Sequence, residues 1–176
     1  MTDTYFFDTD CVSAFLWVRN ESILASLYPG RIILPSQVYD EIKKVPPLLH
    51  RVDAMKSAGH LAIQSIDYGT DEYKDYRELA ISPPTGEAII GKGEAAAIAL
   101  TKKNSGVLAS NNLRDIKKFV EKYNLKHITT GDILVEALNQ GLITEAEGNI
   151  IWTNMIAKQR MLPTATFTEF LRTYSQ

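Results

Sequence analysis

Cysteine and histidine are scarce in this chain, and their scarcity narrows the metal chemistry open to it. The single cysteine, Cys11, excludes an internal disulfide and a cysteine-rich zinc site. The three histidines are His50, His60 and His127. They are too scattered to show the paired spacing of a histidine metal site.

Long apolar runs and a strong net charge are also missing. No run approaches the roughly 18 apolar residues that cross a membrane, and residues 1–4 lack the basic start of a signal peptide. The net charge is −2, from 19 basic and 21 acidic residues, so any affinity for nucleic acid must come from a local patch. These absences predict a soluble, cytoplasmic protein without a membrane partner.

Short apolar segments alternate with helical patterns along the chain. We expect strands at residues 5–7, 31–34, 61–64, 106–109 and 127–129. Between them, apolar residues recur at helical spacing, and Thr9 or Asp10 is expected to cap the first helix. This alternation implies βαβ units. The predicted class is α/β, a three-layer α/β/α sandwich around a mostly parallel five-stranded sheet.

Acidic residues recur where the predicted strands end and the next helices begin. Asp8 follows the first strand, and Asp115 lies in the first helical turn after the fourth. Glu94 opens an alanine-rich helix directly after Gly93, and Glu41 lies on the helix after the second strand. Ligands of parallel sheets bind outside the carboxyl ends of the strands, so these are the acids that carry chemistry.

Each acid also has an ordinary structural explanation. Asp8 could cap a helix, Glu94 could stabilise a helix dipole, and Glu41, beside the competing Asp40, could be a solvated helix residue. Taken together, carboxylates without nearby histidine or cysteine suit a hard cation, Mg²⁺ or Mn²⁺. Such an ion beside an anionic substrate suits phosphodiester hydrolysis.

Four features resemble the PIN-domain nucleases, many of which are toxins of VapC-type toxin–antitoxin pairs. They are the strand ending in Asp8-Thr9, Glu41, the segment GEAAAIAL at 93–100 and the segment TTGDIL at 129–134. The third is close to the family's Gly-Glu-Ala-x-Ala-Ile-Ala signature. The likeness covers about residues 5 to 142.

The resemblance implies a metal-dependent endoribonuclease that uses Mg²⁺ or Mn²⁺ and takes RNA as substrate. It assigns catalysis to Asp8, Glu41, Glu94 and Asp115, and metal binding to Asp8, Glu94, Asp115 and the side-chain carbonyl of Asn112. An antitoxin and a second copy of the chain are the expected protein partners of a toxin of this type.

One departure from the family concerns two asparagines. Many members carry one or two aspartates where this chain has Asn111 and Asn112, which are also good helix caps. Asp115, one helical turn later, would then supply the fourth acid. A neutral amide brings no charge, so a second hypothesis is a PIN-like module that has lost its metal and only binds RNA or a protein.

A rival enzyme class is the haloacid-dehalogenase-like phosphatases. The segment FDTD at 7–10 resembles their nucleophile motif, with Asp8 as covalent nucleophile and Asp10 as general acid. Ser110 and Asp132 faintly echo the later motifs. This alternative leaves Glu41 and the helix beginning at Gly93-Glu94 without a function.

Two further segments need a structural explanation. One face of a predicted helix is basic and carries Arg114, Lys117, Lys118 and Lys122. This face would either guide a phosphate backbone or be exposed to solvent without a specific function.

Residues 1–142 are predicted to form the PIN-like domain and 143–176 a helical extension packed on it. In that extension an apolar stripe is formed by Phe167, Phe170, Leu171 and Tyr174.

Overall fold

The protein is built around a sheet of five parallel strands, seen in a computed structural model that describes residues 2–174. The strands are β1 (Tyr5–Phe7), β2 (Ile32–Pro35), β3 (Leu61–Gln64), β4 (Val107–Ala109) and β5 (Lys126–Ile128). They lie in the order β3-β2-β1-β4-β5. The predicted five-stranded sheet is confirmed, and all of its pairings are parallel.

β1 is the central strand, and its register fixes the position of everything that follows it. Tyr5 lies opposite Ile32 on one side and Val107 on the other. Because all strands run the same way, the residues that follow β1, β2 and β4 emerge at the same edge of the sheet.

Helices cover both faces of the sheet, as predicted. Within residues 2–174 they are α1 (Thr9–Trp17), α2 (Glu21–Leu27), α3 (Ser36–Ile42), α4 (Pro46–Ser57), α5 (Asp71–Ala80), α6 (Lys92–Asn104), α7 (Leu113–Lys122), α8 (Thr130–Asn139), α9 (Glu145–Ala157) and α10 (Phe167–Tyr174). Phe7 and Ala109 pack into one apolar layer and Leu108 into the other. A sheet buried on both faces explains why its strands are nearly all apolar.

α6 approaches the sheet closely because its inward side chains are small. Ala95, Ala96, Ala97 and Ala99 are fully buried together with Ile98 and Leu100. This close approach brings the first turn of α6 next to the carboxyl end of β1.

One helix was not predicted, and one local expectation was wrong. α2 was absent from the predicted elements, and its N-cap Asn20 makes no side-chain capping bond. α1 is capped by Asp8, and neither Thr9 nor Asp10 is the cap, because both lie inside the helix and Asp8 accepts a hydrogen bond from the Cys11 N–H.

The C-terminal helices pack onto the body of the domain through aromatic side chains. Trp152 and Phe167 are fully buried, and the Trp152 indole N–H donates to the Thr164 carbonyl at 2.9 Å. Tyr174 lies at the end of α10 and is half exposed. No helix among residues 2–174 is both long and apolar enough to cross a membrane.

Substitution of Gly148 tests this packing, because the expected direction of the change in stability is clear. A Cβ at this position of α9 would overlap the ring of Phe167. Alanine in place of glycine inside a helix normally stabilises it by roughly 0.5–1 kcal/mol, whereas overpacking a core costs about 1–3 kcal/mol. We expect Gly148→Ala to lower the free energy of unfolding, measured by urea denaturation.

A second substitution serves as the control. Phe167→Leu removes the ring, so the Gly148→Ala change should cost much less in that background. An equal loss in both backgrounds would contradict the predicted overlap.

Candidate functional site

Asp8 lies at the carboxyl end of β1 and is completely buried. Its N–H donates to the Ala109 carbonyl at 3.0 Å, which continues the pairing with β4. Its Oδ1 accepts the Cys11 N–H at 2.8 Å, while its Oδ2 is buried without a hydrogen bond. A buried carboxylate with one unsatisfied oxygen is costly unless a proton or a cation meets it.

The buried environment of Asp8 changes the pKa of its carboxyl group. Burial raises the pKa of Asp8 to about 7 from its ordinary value of 3.8. The Ser110 hydroxyl and the Cys11 N–H oppose this rise in pKa, because they hydrogen-bond to the charged form of Asp8. The carboxylates of Asp10 and Glu94 add to it, because like charges nearby disfavour a further negative charge. The site therefore favours a positive charge near Asp8.

Glu41 holds three helices together at the edge of the sheet. It lies on α3, accepts the backbone N–H of Gly93 from α6 at 3.2 Å and accepts the hydroxyl of Thr9 from α1. A Cβ on Gly93 would lie only 2.9 Å from the Thr9 Oγ1 and 3.0 Å from a Glu41 oxygen. The glycine before Glu94 is thus required by the space that Glu41 and Thr9 fill.

Glu94 lies in the first turn of α6, where the sequence placed it. Burial raises its pKa, and the nearby charge of Asp115 contributes to the increase. The Asn112 amide donates to its Oε1 at 2.6 Å and opposes that shift.

Asn112 bridges two of the predicted acids. Its Nδ2 donates to Glu94 and also to the Oδ2 of Asp115, at 2.9 Å. Although Asn112 occupies the N-cap position of α7, its side chain makes no capping bond, so the ordinary explanation fails for it. The neutral amide occupies the place between two carboxylates where a cation would be attracted.

Asn111 does something different from its neighbour. Its amide donates to the Thr130 hydroxyl at 2.7 Å, and its carbonyl accepts the Thr130 N–H at 2.8 Å. These bonds tie the connection after β4 to the start of α8, and they hold Asn111 away from the acids.

Three of the predicted catalytic acids line one pocket. This acidic pocket has a volume of about 240 Å³ and is lined by Asp8, Thr9, Asp10, Glu41, Gly91, Gly93 and Glu94. Asp115 lies outside it, in an adjoining space of about 510 Å³ that also contains Asn112, Arg114 and Arg160. We call this second space the Asn112 cleft.

The acidic pocket contains oxygen ligands of the kind that a hard cation binds, but they are spread apart. Asp8 and Glu94 supply carboxylate oxygens, and the Oδ2 of Asp8 is buried and unpaired. Among residues 2–174, however, no three histidine, cysteine, aspartate or glutamate side chains lie close enough together to hold a metal ion. Glu41 bonds to Thr9 and Gly93, and Asp115 bonds to Asn112.

Two residues of this site were missed or underrated in the sequence. Asp10 was expected to cap a helix, or to be the general acid of a phosphatase, yet it lines both the acidic pocket and the Asn112 cleft. Arg160, from the segment after α9, reaches Asp10 with an N–O distance of 3.7 Å. Nothing in the local sequence around residue 160 indicates this long-range contact.

A comparison with protein families decides between the two families that the motifs resemble. The family model of the PIN domain matches residues 4–176. The chain belongs to the PIN-domain family. PIN domains are generally nucleases, and they generally use divalent metal ions. The comparison with curated proteins gives no match.

Two of the four cations on the basic face of α7 in this PIN domain lie beside an acidic side chain. Lys118 lies 3.8 Å from a Glu87 oxygen, and Lys117 lies 4.0 Å from Glu121. Arg114 differs, because it lines the Asn112 cleft beside Asp115. Arg114 is therefore the α7 cation placed to meet an anion near the acids.

The raised pKa of Asp8 predicts a pH-dependent stability in metal-free buffer. Between pH about 4 and about 7 the folded PIN domain keeps a proton that the unfolded chain has released, so its free energy of unfolding falls as pH rises and levels off above that range. Asp8→Asn cannot titrate and still caps α1. We expect the variant to gain stability relative to the wild type across this range.

Thermal denaturation with a chelator, over a series of pH values, measures the difference between the two proteins. A difference that stays constant from pH about 4 to about 7 would show that burial does not hold the proton on Asp8.

Proposed function

We propose that this PIN domain is a metal-dependent endoribonuclease that hydrolyses RNA phosphodiester bonds with Mg²⁺ or Mn²⁺. The observation that carries the proposal is the fully buried Asp8, with one unpaired oxygen, in a pocket that it shares with Glu41 and Glu94. Buried carboxylates with raised pKa values are typical of functional sites.

We assign the predicted acids to two roles. Asp8, Glu94 and Asp115 would hold the cation, together with the carbonyl oxygen of Asn112. This requires the Asn112 amide to turn and the three acids to draw together, because among residues 2–174 no three such side chains lie close enough to share an ion. Glu41 is a positioning residue, because its bonds to Thr9 and Gly93 hold α1 and α6 in place. When bound, the ion supplies an activated water and neutralises charge developing on the phosphate.

The arginines of the Asn112 cleft support an anionic substrate. Arg114 and Arg160 line the cleft next to Asp115, and guanidinium groups match phosphate oxygens in a bidentate geometry. The overall charge of −2 does not attract RNA, so the positive charge that binding needs would come from these two arginines. A phosphate would have to replace the contact of Arg160 with Asp10.

A second candidate function is favoured by Asn112 alone. Its amide already bridges Glu94 and Asp115, which is the arrangement expected of a PIN domain that binds RNA or protein without metal. The phosphatase hypothesis has less support, because Asp10 is paired with Arg160 and the family match favours a nuclease.

We further propose a role as the toxin of a toxin–antitoxin pair acting in the cytoplasm. The support is the resemblance of the motifs at 8–9, 93–100 and 129–134 to VapC-type proteins. A short upstream reading frame encoding a DNA-binding motif would support it, as would inhibition of cleavage by the encoded protein. The mass of the purified chain in solution tests the homodimer.

Substitution of Glu94 and Asp10 separates the nuclease from the phosphatase. With Mn²⁺ or Mg²⁺, Glu94→Gln should reduce RNA cleavage by at least roughly 10- to 100-fold, because it weakens the binding of the ion. Asp10→Asn should reduce it less. A phosphatase would show the reverse order on a phosphate monoester.

The same preparation tests the metal requirement. Added Mn²⁺ or Mg²⁺ should raise the melting temperature of the wild type by mass action, and a chelator should abolish cleavage without unfolding the protein. Cleavage that persists in the chelator would overturn the metal-dependent mechanism.

Asn112→Asp tests whether the amide weakens metal binding. Without metal, the variant loses two hydrogen bonds and gains a third carboxylate beside Glu94 and Asp115, so its melting temperature should fall. With Mn²⁺ its melting temperature should rise more than that of the wild type.

Asn111→Asp is the matched control, because Asn111 bonds to Thr130 and not to the acids. It should lose stability without any extra gain from metal. Equal metal-induced shifts in all three proteins would show that Asn112 does not set the affinity for the ion.

A further inference from the structure

A second, more apolar pocket lies between α8, α10 and the segment 161–163. We call it the tail pocket, and it has a volume of about 550 Å³. Pockets of roughly 300–1,000 Å³ are typical of small-molecule and cofactor sites. Its walls include Leu113, Met161, Phe170 and Tyr174. Asp132 also lines it, and the Oδ2 of this residue accepts the Thr129 N–H and hydroxyl.

The apolar walls of the tail pocket are unusually open to solvent. Met161 is 91% exposed, Tyr174 is 52% exposed and Leu113 is 48% exposed. The Tyr174 ring is tilted by 60° against Phe170, with 5.5 Å between the ring centroids. This edge-to-face packing holds the Tyr174 ring without stacking another ring parallel to it.

The polar groups in the tail pocket are held in fixed positions. Asn111 is locked by its two bonds to Thr130, and the Nε2 of His127 lies 2.8 Å from the Ser110 carbonyl oxygen. Aromatic and apolar surface with a few fixed polar groups is the kind of site that takes a planar, hydrogen-bonding ring.

The tail pocket is continuous with the candidate catalytic site. Asn111, Leu113 and Met161 line both the tail pocket and the Asn112 cleft. Asp10 in turn lines both the Asn112 cleft and the acidic pocket. One surface therefore runs from Asp8 to Tyr174.

The positive charge of this surface lies in its middle part. Arg114 and Arg160 line the Asn112 cleft, together with the carboxylates of Asp10 and Asp115, and the cleft adjoins both the acidic pocket and the tail pocket. In a nucleotide the sugar joins the base to the adjoining phosphates, so a strand with one base in the tail pocket would pass a phosphate to the neighbouring cleft. Cationic grooves with adjoining aromatic rings are how proteins bind single strands.

We propose that the tail pocket binds a nucleobase of single-stranded RNA, with the ring of Tyr174 stacking on the base and the two arginines holding the adjoining phosphate. The proposal rests on the proposed nuclease function and names the form of its substrate. A base inside a duplex is already stacked and paired, so single strands are preferred over duplexes.

Binding measured without metal tests the tail pocket independently of cleavage. Fluorescence anisotropy with short single-stranded homopolymers, in a chelator, gives the Kd for each variant. Tyr174→Ala should weaken binding by about 5- to 100-fold, the range typical of losing one base–aromatic stack. Tyr174→Phe keeps the ring and should keep the affinity.

The control is Tyr68→Ala, which removes another exposed tyrosine, after β3 at the opposite edge of the sheet. It should leave the Kd unchanged. A loss of affinity equal to that of Tyr174→Ala would overturn the proposal, because the effect would then not be specific to the tail pocket.

Met161 provides a second test that does not depend on α10. Met161 is almost fully exposed, so its substitution cannot disturb the core. Met161→Glu should repel the RNA backbone and weaken binding, whereas the uncharged Met161→Gln should not. Equal affinities for both variants would contradict an RNA path between the Asn112 cleft and the tail pocket.

The two assays keep the two proposals apart. RNA that is cleaved with Mn²⁺ but bound equally by the wild type and Tyr174→Ala would overturn the tail pocket alone. RNA bound through Tyr174 but never cleaved would overturn the nuclease alone. A change of oligomeric state on Tyr174→Ala without any change in Kd would make the pocket a protein interface and would also overturn the proposal.

Discussion

The burial of one carboxylate is the constraint on which this structure depends. Asp8 emerges from the central strand, with β2 and β4 on either side, and it has no exposure to water. Its Oδ1 is satisfied because the same group caps α1, but its Oδ2 is left unpaired. A proton or a positive charge beside this oxygen would offset the free-energy cost of its burial.

The acids around Asp8 fall into two groups: one joins helices, and the other adds carboxyl groups near the site. Glu41 joins α1, α3 and α6 through Thr9 and Gly93. Glu94 and Asp115 lie close to the site and share a single neutral amide. We therefore expect the affinity of the site for a cation to depend on Asn112 as well as on the number of carboxylates.

The number of strands, their places along the chain and the positions of the acids could be predicted because they follow from short-range patterns. An apolar run of three or four residues followed by Asp8 or by an asparagine pair marks the end of a parallel strand. The direction of each side chain could not be predicted in the same way. Whether Glu41 meets Thr9, and whether Asn112 meets Glu94 or caps α7, depends on contacts across 18 or more residues of sequence.

The contacts of the C-terminal segment were even harder to predict from the sequence. Its apolar stripe indicated that it packs on something, but Arg160 reaching Asp10 across 150 residues has no sequence signature. Packing also explains why glycines are required on the partner helices, since Gly131 and Gly148 leave space for Phe170 and Phe167.

The strand order also has a consequence for how the chain acquires its shape during synthesis. β1 can pair with β2 and β3 soon after they leave the ribosome, but its other neighbour, β4, starts at Val107. Until then Asp8 lacks the strand to which its N–H donates in the folded protein. We therefore expect its carboxylate to leave water in a late step of folding, when β4 joins the sheet.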